Sequence, residues 1–202
     1  MILSSLSIFL AVAGFGLVHS LLASQTAKSL TQRWLGASAG RVYRLLFNLL
    51  GVLTLLPALA LLLVLPDHPL YAIPRPWVYS TLILQGLAVV TLLVGVKQTG
   101  FIAFSGLGQL ADPDIETRRP LVTDGLYRWV RHPLYSAGLV FIWLIPHMTS
   151  NLLALNLGLS LYIFVGTYFE ERKLRKAFDP AYAAYQRRTP LYFPGWQFIR
   201  RT

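Results

Sequence analysis

The sequence predicts an all-α, polytopic membrane helical bundle. It has about five transmembrane helices, the last two forming a hairpin, together with a cytoplasmic loop and a C-terminal helix. Three observations carry this reading. The 202 residues are 55% hydrophobic with a mean hydropathy of +0.55. Only 13% are charged, against about 25% in a soluble domain. The charges are also segregated, because uncharged runs near the length needed to cross a bilayer alternate with short basic stretches.

The elements follow in order. Ile2–Ala23 lacks the charged start and small-residue cleavage pattern of a secretion signal, so it reads as the first span. Residues 24–44 are polar and basic, and their Trp34-Leu35 pair suits the membrane interface. The second span runs from about Leu45 to Leu65, and a proline-rich turn with Pro66, Pro69, Pro74 and Pro76 separates it from a third at about Trp77–Val96. Residues 97–131 form a polar stretch too long for an idle connector. Pro133 suits a helix first turn, and Leu134–Met148 makes a short fourth span closed by Pro146 and Asn151. A fifth helix, Leu152–Phe178, is long enough to protrude by a turn or two. Asp179-Pro180 then reads as the start of a short final helix. Leu174, Phe178, Tyr182 and Tyr185 fall on one face at helical spacing, which should pack on the loop before His132 or on the membrane surface. The whole is one membrane domain, residues 1–97 supplying three spans and 98–202 the half that carries chemistry.

Charge sets orientation. With five spans and the tail inside, every Lys and Arg except Arg75 lies in the inner loops or the tail. The net charge of +10 therefore points to the lipid bilayer as partner and not to nucleic acid. Arg200 and Arg201 in the tail would face anionic lipid. The oligomeric state is left open. Cysteine is absent, so disulfides, thiolate metal sites and a cysteine nucleophile are ruled out. His68 and His147 sit in outer turns without a second ligand at metal spacing, so no metal site is expected. His19, inside the first span, reads as a packed histidine, and Asp112, Asp114 and Glu116 as loop solvation.

Two constellations could carry chemistry. One is the loop Leu121–Tyr135, reading LVTDGLYRWVRHPLY; the other is Glu170-Glu171 at the inner end of the last span. Gly125 permits a tight turn, and a helix opening at Pro133 leaves N–H groups free to meet oxygen ligands. Tyr127, Trp129 and Tyr135 offer faces for an adenine ring or a cation. Acidic side chains at a membrane boundary need partners, such as ribose hydroxyls, an amino group or arginines. The same residues would also serve as an interfacial anchor and a solvated helix end.

The ordered set GLYRWVRHPLYSAG at 125–138, EERKL at 170–174, Phe178, Tyr182, Tyr185 and Arg188-Thr-Pro resembles the isoprenylcysteine carboxyl methyltransferase superfamily over about residues 98–195. His19-Ser20, the segment Phe104–Gln109 and Pro146–Thr149 are similar to its methanethiol S-methyltransferase and NnrU-type branch. The resemblance implies S-adenosylmethionine as cofactor, held by Leu121, Val122, Tyr127, His132, Pro133, Leu134, Tyr135 and Glu170 or Glu171, with Gln109 added from the branch. Members that esterify a prenylcysteine carboxylate carry an arginine on the last span. Here residues 133–171 contain no Lys or Arg, and a buried carboxylate without a cation is disfavoured. The expectation is therefore methyl transfer to a small or lipophilic acceptor entering from the bilayer, with a thiol ahead of a carboxylate. His132 and Arg131, with Arg188 behind them, are the side chains to assist a thiolate. The competing readings are an isoprenylcysteine carboxyl methyltransferase, a membrane sterol-type reductase binding NADPH, and a non-enzymatic NnrU-like accessory protein.

Overall fold

A computed structural model of the protein describes residues 2–36, 38–112, 115 and 120–195. Asp114, Glu116, Arg200 and Arg201, assigned above to loop solvation and lipid-facing charge, lie outside the described residues. The elements in chain order are α1 (Ile2–Ala23), α2 (Gln25–Leu35), α3 (Ser38–Val64), β1 (Pro69–Ala72), α4 (Trp77–Thr99), α5 (Phe101–Ser105), α6 (Leu107–Ala111), a 3₁₀ turn (Gly125–Arg128), α7 (Pro133–Trp143), β2 (His147–Thr149), α8 (Ser150–Phe178) and α9 (Ala181–Arg188). Helices α1, α3, α4 and α8 are long and apolar enough to cross a membrane, and α7 is apolar but short. The chain is an all-α polytopic membrane protein.

Most boundaries agree with the sequence reading, and three differ for identifiable reasons. Helix α3 starts seven residues before Leu45, because Ser38–Arg44 contains no proline and its alanine and arginines offset the one weak helix former, Gly40. The basic segment after the first span is itself helical: Ser24 caps α2 by accepting a hydrogen bond from the Ala27 N–H at 3.1 Å. The fourth span ends at Trp143 instead of Met148, giving 11 residues and about 16 Å of helix. The chain beyond it is extended. Residues 147–149 pair antiparallel with 69–72, where the sequence suggested only two turns. Prolines at 66, 69, 74 and 146 interrupt helical hydrogen bonding on both segments, and the ladder gives their exposed backbone groups partners.

The chain forms two compact units that interleave along the sequence: residues 1–72, 100–119 and 147–162, and residues 73–99, 120–146 and 163–202. Helix α8 contributes its first part to one and its remainder to the other. The first unit has an apolar core of Ile8, Val12, Ala58, Ala154 and Leu155 from α1, α3 and α8. Close approach is achieved with small residues, as expected where lipid removes the hydrophobic drive for helices to associate. A Cβ on Gly158 would lie 2.9 Å from Val12 Cγ1. Asp67, just past α3, accepts hydrogen bonds at its Oδ1 from the Asn151 N–H and the Ser150 hydroxyl, both at 3.0 Å, and so covers the start of α8. Asn48 donates to the Phe104 and Ser105 carbonyls at 3.0 and 2.8 Å, tying α5 to α3.

In the second unit α7 packs along α4, with Gln85 donating to the Phe141 carbonyl at 2.9 Å. Its buried residues include the polar or aromatic His132, Ser136, Thr167, Tyr182, Tyr185 and Thr189 beside the apolar Ala88, Val130, Ala137 and Leu139. Helix α8 is 29 residues, about 44 Å long, against a hydrocarbon core of about 30 Å. Its charged end from Glu170 onward is therefore surplus to a span.

Candidate active site

The second unit gathers most of the predicted residues at the start of α7. The approach to that helix is fixed by Gly125, whose φ is +57° and where a Cβ would fall 1.9 Å from Gln98 Nε2. Gln98 Oε1 accepts from the Leu126 N–H at 3.2 Å, so α4 holds the turn. His132 precedes the helix and Pro133 occupies its first turn. The N–H groups of Leu134 and Tyr135 consequently lie outside the intrahelical ladder. The Leu134 side chain packs against α4 at Gly95.

The segment after α9 runs alongside this approach. The N–H groups of Arg131 and His132 donate to the carbonyls of Pro190 and Leu191 at 2.9 and 3.1 Å. The Ser136 hydroxyl lies 2.5 Å from the Tyr192 carbonyl oxygen. This backbone pairing fixes the motif more firmly than its own sequence would.

The two adjacent carboxylates of α8 have different surroundings. Glu171, with its side chain 15% exposed, is saturated. Arg131 grips it through Nε and Nη2 at 3.1 and 3.0 Å. His132 donates from Nε2 at 2.8 Å, Tyr182 at 2.6 Å and Gln186 at 2.5 Å. Arg131 spends its remaining Nη1 on the Gln186 and Thr189 carbonyls. Burial, reinforced by the bond to Glu171, pushes the Tyr182 phenol far above its ordinary range. Burial does the same for Tyr185, which donates to the Tyr127 carbonyl at 2.6 Å. Both remain protonated donors and pin α9 to the loop and to α8.

Glu170 is 40% exposed. Its Oε2 accepts from the Tyr135 hydroxyl at 2.8 Å and faces His132 Nδ1 at 3.7 Å. Among the described residues its Oε1 accepts nothing. The imidazole of His132, 5% exposed, lies nearly parallel to the Tyr135 ring, with a centroid separation of 5.3 Å and an interplanar angle of 5°. The result is an open carboxylate and two stacked rings beside the start of a helix. These can receive a ligand that combines hydroxyls or an amino group with a flat or cationic portion.

Arg131, His132, Tyr135, Glu170 and Glu171 thus come together, with Tyr127 joined through its carbonyl. Leu121 and Val122 are half-buried in the segment before the turn, without a hydrogen bond into the cluster among the described residues. Arg188 is exposed, its guanidinium 5.9 Å from the centre of the Tyr185 ring. Gln109 belongs to the first unit, buried in α6. Sequence reasoning missed Gln186 and the carbonyls of residues 189–192. The helical spacing of Tyr182 and Tyr185 was the available signal for α9, and a glutamine on a polar helix gives none.

The family model described as phospholipid methyltransferase matches residues 78–181, just over half of the chain. The chain belongs to this family. The matched stretch includes the His-Pro motif and both glutamates. Among curated relatives, methanethiol S-methyltransferase 2 of Bradyrhizobium diazoefficiens is 38% identical over 110 residues, which is 54% of this chain and 39% of that protein. Methanethiol S-methyltransferase of Pseudomonas deceptionensis is 36% identical over 103 residues, 51% of this chain and 36% of that protein. A methanethiol S-methyltransferase from another Pseudomonas is 28% identical over 187 residues, covering 89% of this chain and 69% of its own length. The matches to the first two span less than two-fifths of the length of those proteins. No solved structure matches.

Proposed function

We propose that this phospholipid methyltransferase family member is an integral membrane enzyme that transfers a methyl group from S-adenosylmethionine to a small thiol, with its site on the cytoplasmic side. The observation that carries the reading is the division of labour between the two glutamates. Glu171 is consumed in holding the motif together, which leaves Glu170 as the carboxylate open to a ligand beside the His132–Tyr135 stack.

The donor set suits this cofactor. Glu170 Oε1 fits ribose hydroxyls or the amino group, the Leu134 N–H at the helix start fits an oxygen acceptor, and the ring faces fit adenine or the sulfonium. When bound, the cofactor supplies an electrophilic methyl group. The protein contributes orientation and exclusion of water. Arg131 acts as a strut, because its charge is neutralised by Glu171 and its donors are occupied. His132, with Nε2 tied to Glu171, offers Nδ1 as the ring nitrogen available to take the thiol proton, in the manner of a base oriented by a carboxylate. Two observations favour a thiol over a carboxylate acceptor: residues 133–171 contain no Lys or Arg, and the relatives named above are thiol methyltransferases.

The test is methyl transfer from isotope-labelled cofactor in proteoliposomes, offering small thiols, a prenylcysteine and phospholipids in parallel. Labelled thioether should form. Glu170→Gln keeps the bond from Tyr135 but should weaken cofactor binding by roughly 10- to 100-fold. Unchanged cofactor affinity in Glu170→Gln, or a labelled ester as product, would overturn the reading.

A further inference from the structure

On α8, Phe164, Thr167, Tyr168, Glu171, Arg172 and Arg175 fall at helical spacing on one stripe and line a cavity of about 410 Å³. Glu170 is not part of this stripe. Gln186, Leu191 and Tyr192 close the other side. The cavity is two-faced along the helix axis. Toward the apolar part of α8 its wall is Phe164, Tyr168, Leu191 and Tyr192, with the Tyr192 ring set edge-on to Phe164 at 5.6 Å. Toward the charged end its wall is Arg131, Arg172 and Arg175.

The charge balance there is lopsided. Glu171 is the one acidic side chain in the lining, and Arg131 holds it in a paired contact. Arg172 leans over the Tyr168 ring at 5.8 Å, and Arg175 uses its Nε on Gln186 Oε1 at 2.8 Å. Neither meets a carboxylate in an ion pair among the described residues. Two guanidinium groups thus stand at the end of a surface-spanning helix, directly above an aromatic and aliphatic slot.

We infer that this cavity binds one anionic phospholipid, its phosphate on Arg172 and Arg175 and the upper part of an acyl chain against Phe164, Tyr168 and Tyr192. Arginine at the level where a helix leaves the hydrocarbon is suited to a phosphate, which it grips through paired N–H donors. The apolar slot gives an amphiphile an advantage over a free anion. The site is separate from the proposed methyl-donor contacts and does not depend on that reading. Bound lipid would brace α8 against residues 186–192, the segment that also holds the His-Pro motif.

The experiment uses the purified full-length protein in a neutral detergent. Its thermal midpoint is measured with phosphatidylglycerol, phosphatidylcholine or inorganic phosphate added, and lipid adducts are counted by native mass spectrometry. Phosphatidylglycerol should raise the midpoint by roughly 5 °C near saturation and give one retained adduct. The Arg172→Ala/Arg175→Ala double variant should lose both effects, with affinity down about fivefold or more per arginine. Lys173→Ala/Lys176→Ala removes the same charge from the same helix outside the cavity lining and should keep them. An equal rise with phosphatidylcholine or with inorganic phosphate would overturn the site. So would a rise that survives in the arginine variant or disappears equally in the lysine variant. If the arginine variant fails to fold, Arg172→Lys/Arg175→Lys replaces it, and an undiminished phosphatidylglycerol shift there would refute the paired-donor contact.

Discussion

The two units of this chain both bury polar side chains but are held together differently. The first buries Ser4, Gln109, Asn151, Asn156 and Ser160, but its centre is the apolar cluster of Ile8, Val12, Ala58, Ala154 and Leu155, with Gly158 letting one helix come within van der Waals reach of the next. The second buries His132, Ser136, Thr167 and Thr189, and its tightest region is a carboxylate with four different donors. Apolar packing tolerates small errors, because neighbouring side chains relax. A polar network has members whose desolvation is compensated only while all partners remain. The difference teaches where the chain is rigid by chemistry and where by shape. Of the residues suited to binding, Glu170 and Tyr135 sit beside the network, while His132 belongs to it.

Substitutions can break this contrast, and the largest effect falls at its centre. Glu171→Ala leaves the Arg131 guanidinium and His132 without their shared acceptor. It should cost about 3–5 kcal/mol, read as a collapse of the thermal midpoint and loss of cofactor binding together. Tyr182→Phe removes one donor to that carboxylate and should cost about 1.5–3 kcal/mol, with α9 becoming more accessible to hydrogen exchange. In the first unit, Gly158→Val drives a branched side chain into Val12 and should cost about 1–3 kcal/mol by thermal unfolding, while cofactor affinity per folded molecule stays constant. The smallest effect concerns Asp67. Burial raises its pKa, but the donors from Thr149, Asn151, His68 and Ser150 outweigh this and leave it below the ordinary aspartate value. Its contribution is therefore present above the unfolded-state pKa and is lost as pH falls through the lowered one. Asp67→Asn should lower the midpoint in the neutral region and flatten the acid limb of a midpoint-against-pH curve, so that variant and parent converge at low pH.

The extent to which this was readable in the chain follows the same division. Spans α1, α4 and α8 are marked by uncharged length alone, and proline placed the start of α7. The β1–β2 pairing was not visible, because proline-rich turns look alike whether or not they later find each other. Within the site, the motif and the glutamate pair stood out as residue types, yet their roles did not. Adjacent positions on a helix point about 100° apart, so which of Glu170 and Glu171 meets Arg131 depends on where Gln186 and the 189–192 backbone lie. That information is carried by contacts nearly sixty positions away from the motif, and no local pattern encodes it.

The pairing of the Arg131 and His132 amides with the carbonyls of Pro190 and Leu191 has a consequence for biosynthesis. The motif emerges from the ribosome long before the stretch that clamps it has been made. Until that stretch is translated and clear of the exit tunnel, the Arg131 and His132 amides lack these acceptors, and Glu171 gains Tyr182 and Gln186 only once they too are made. These contacts therefore form last, and a chain stopped between codons 136 and 190 would carry the motif without them.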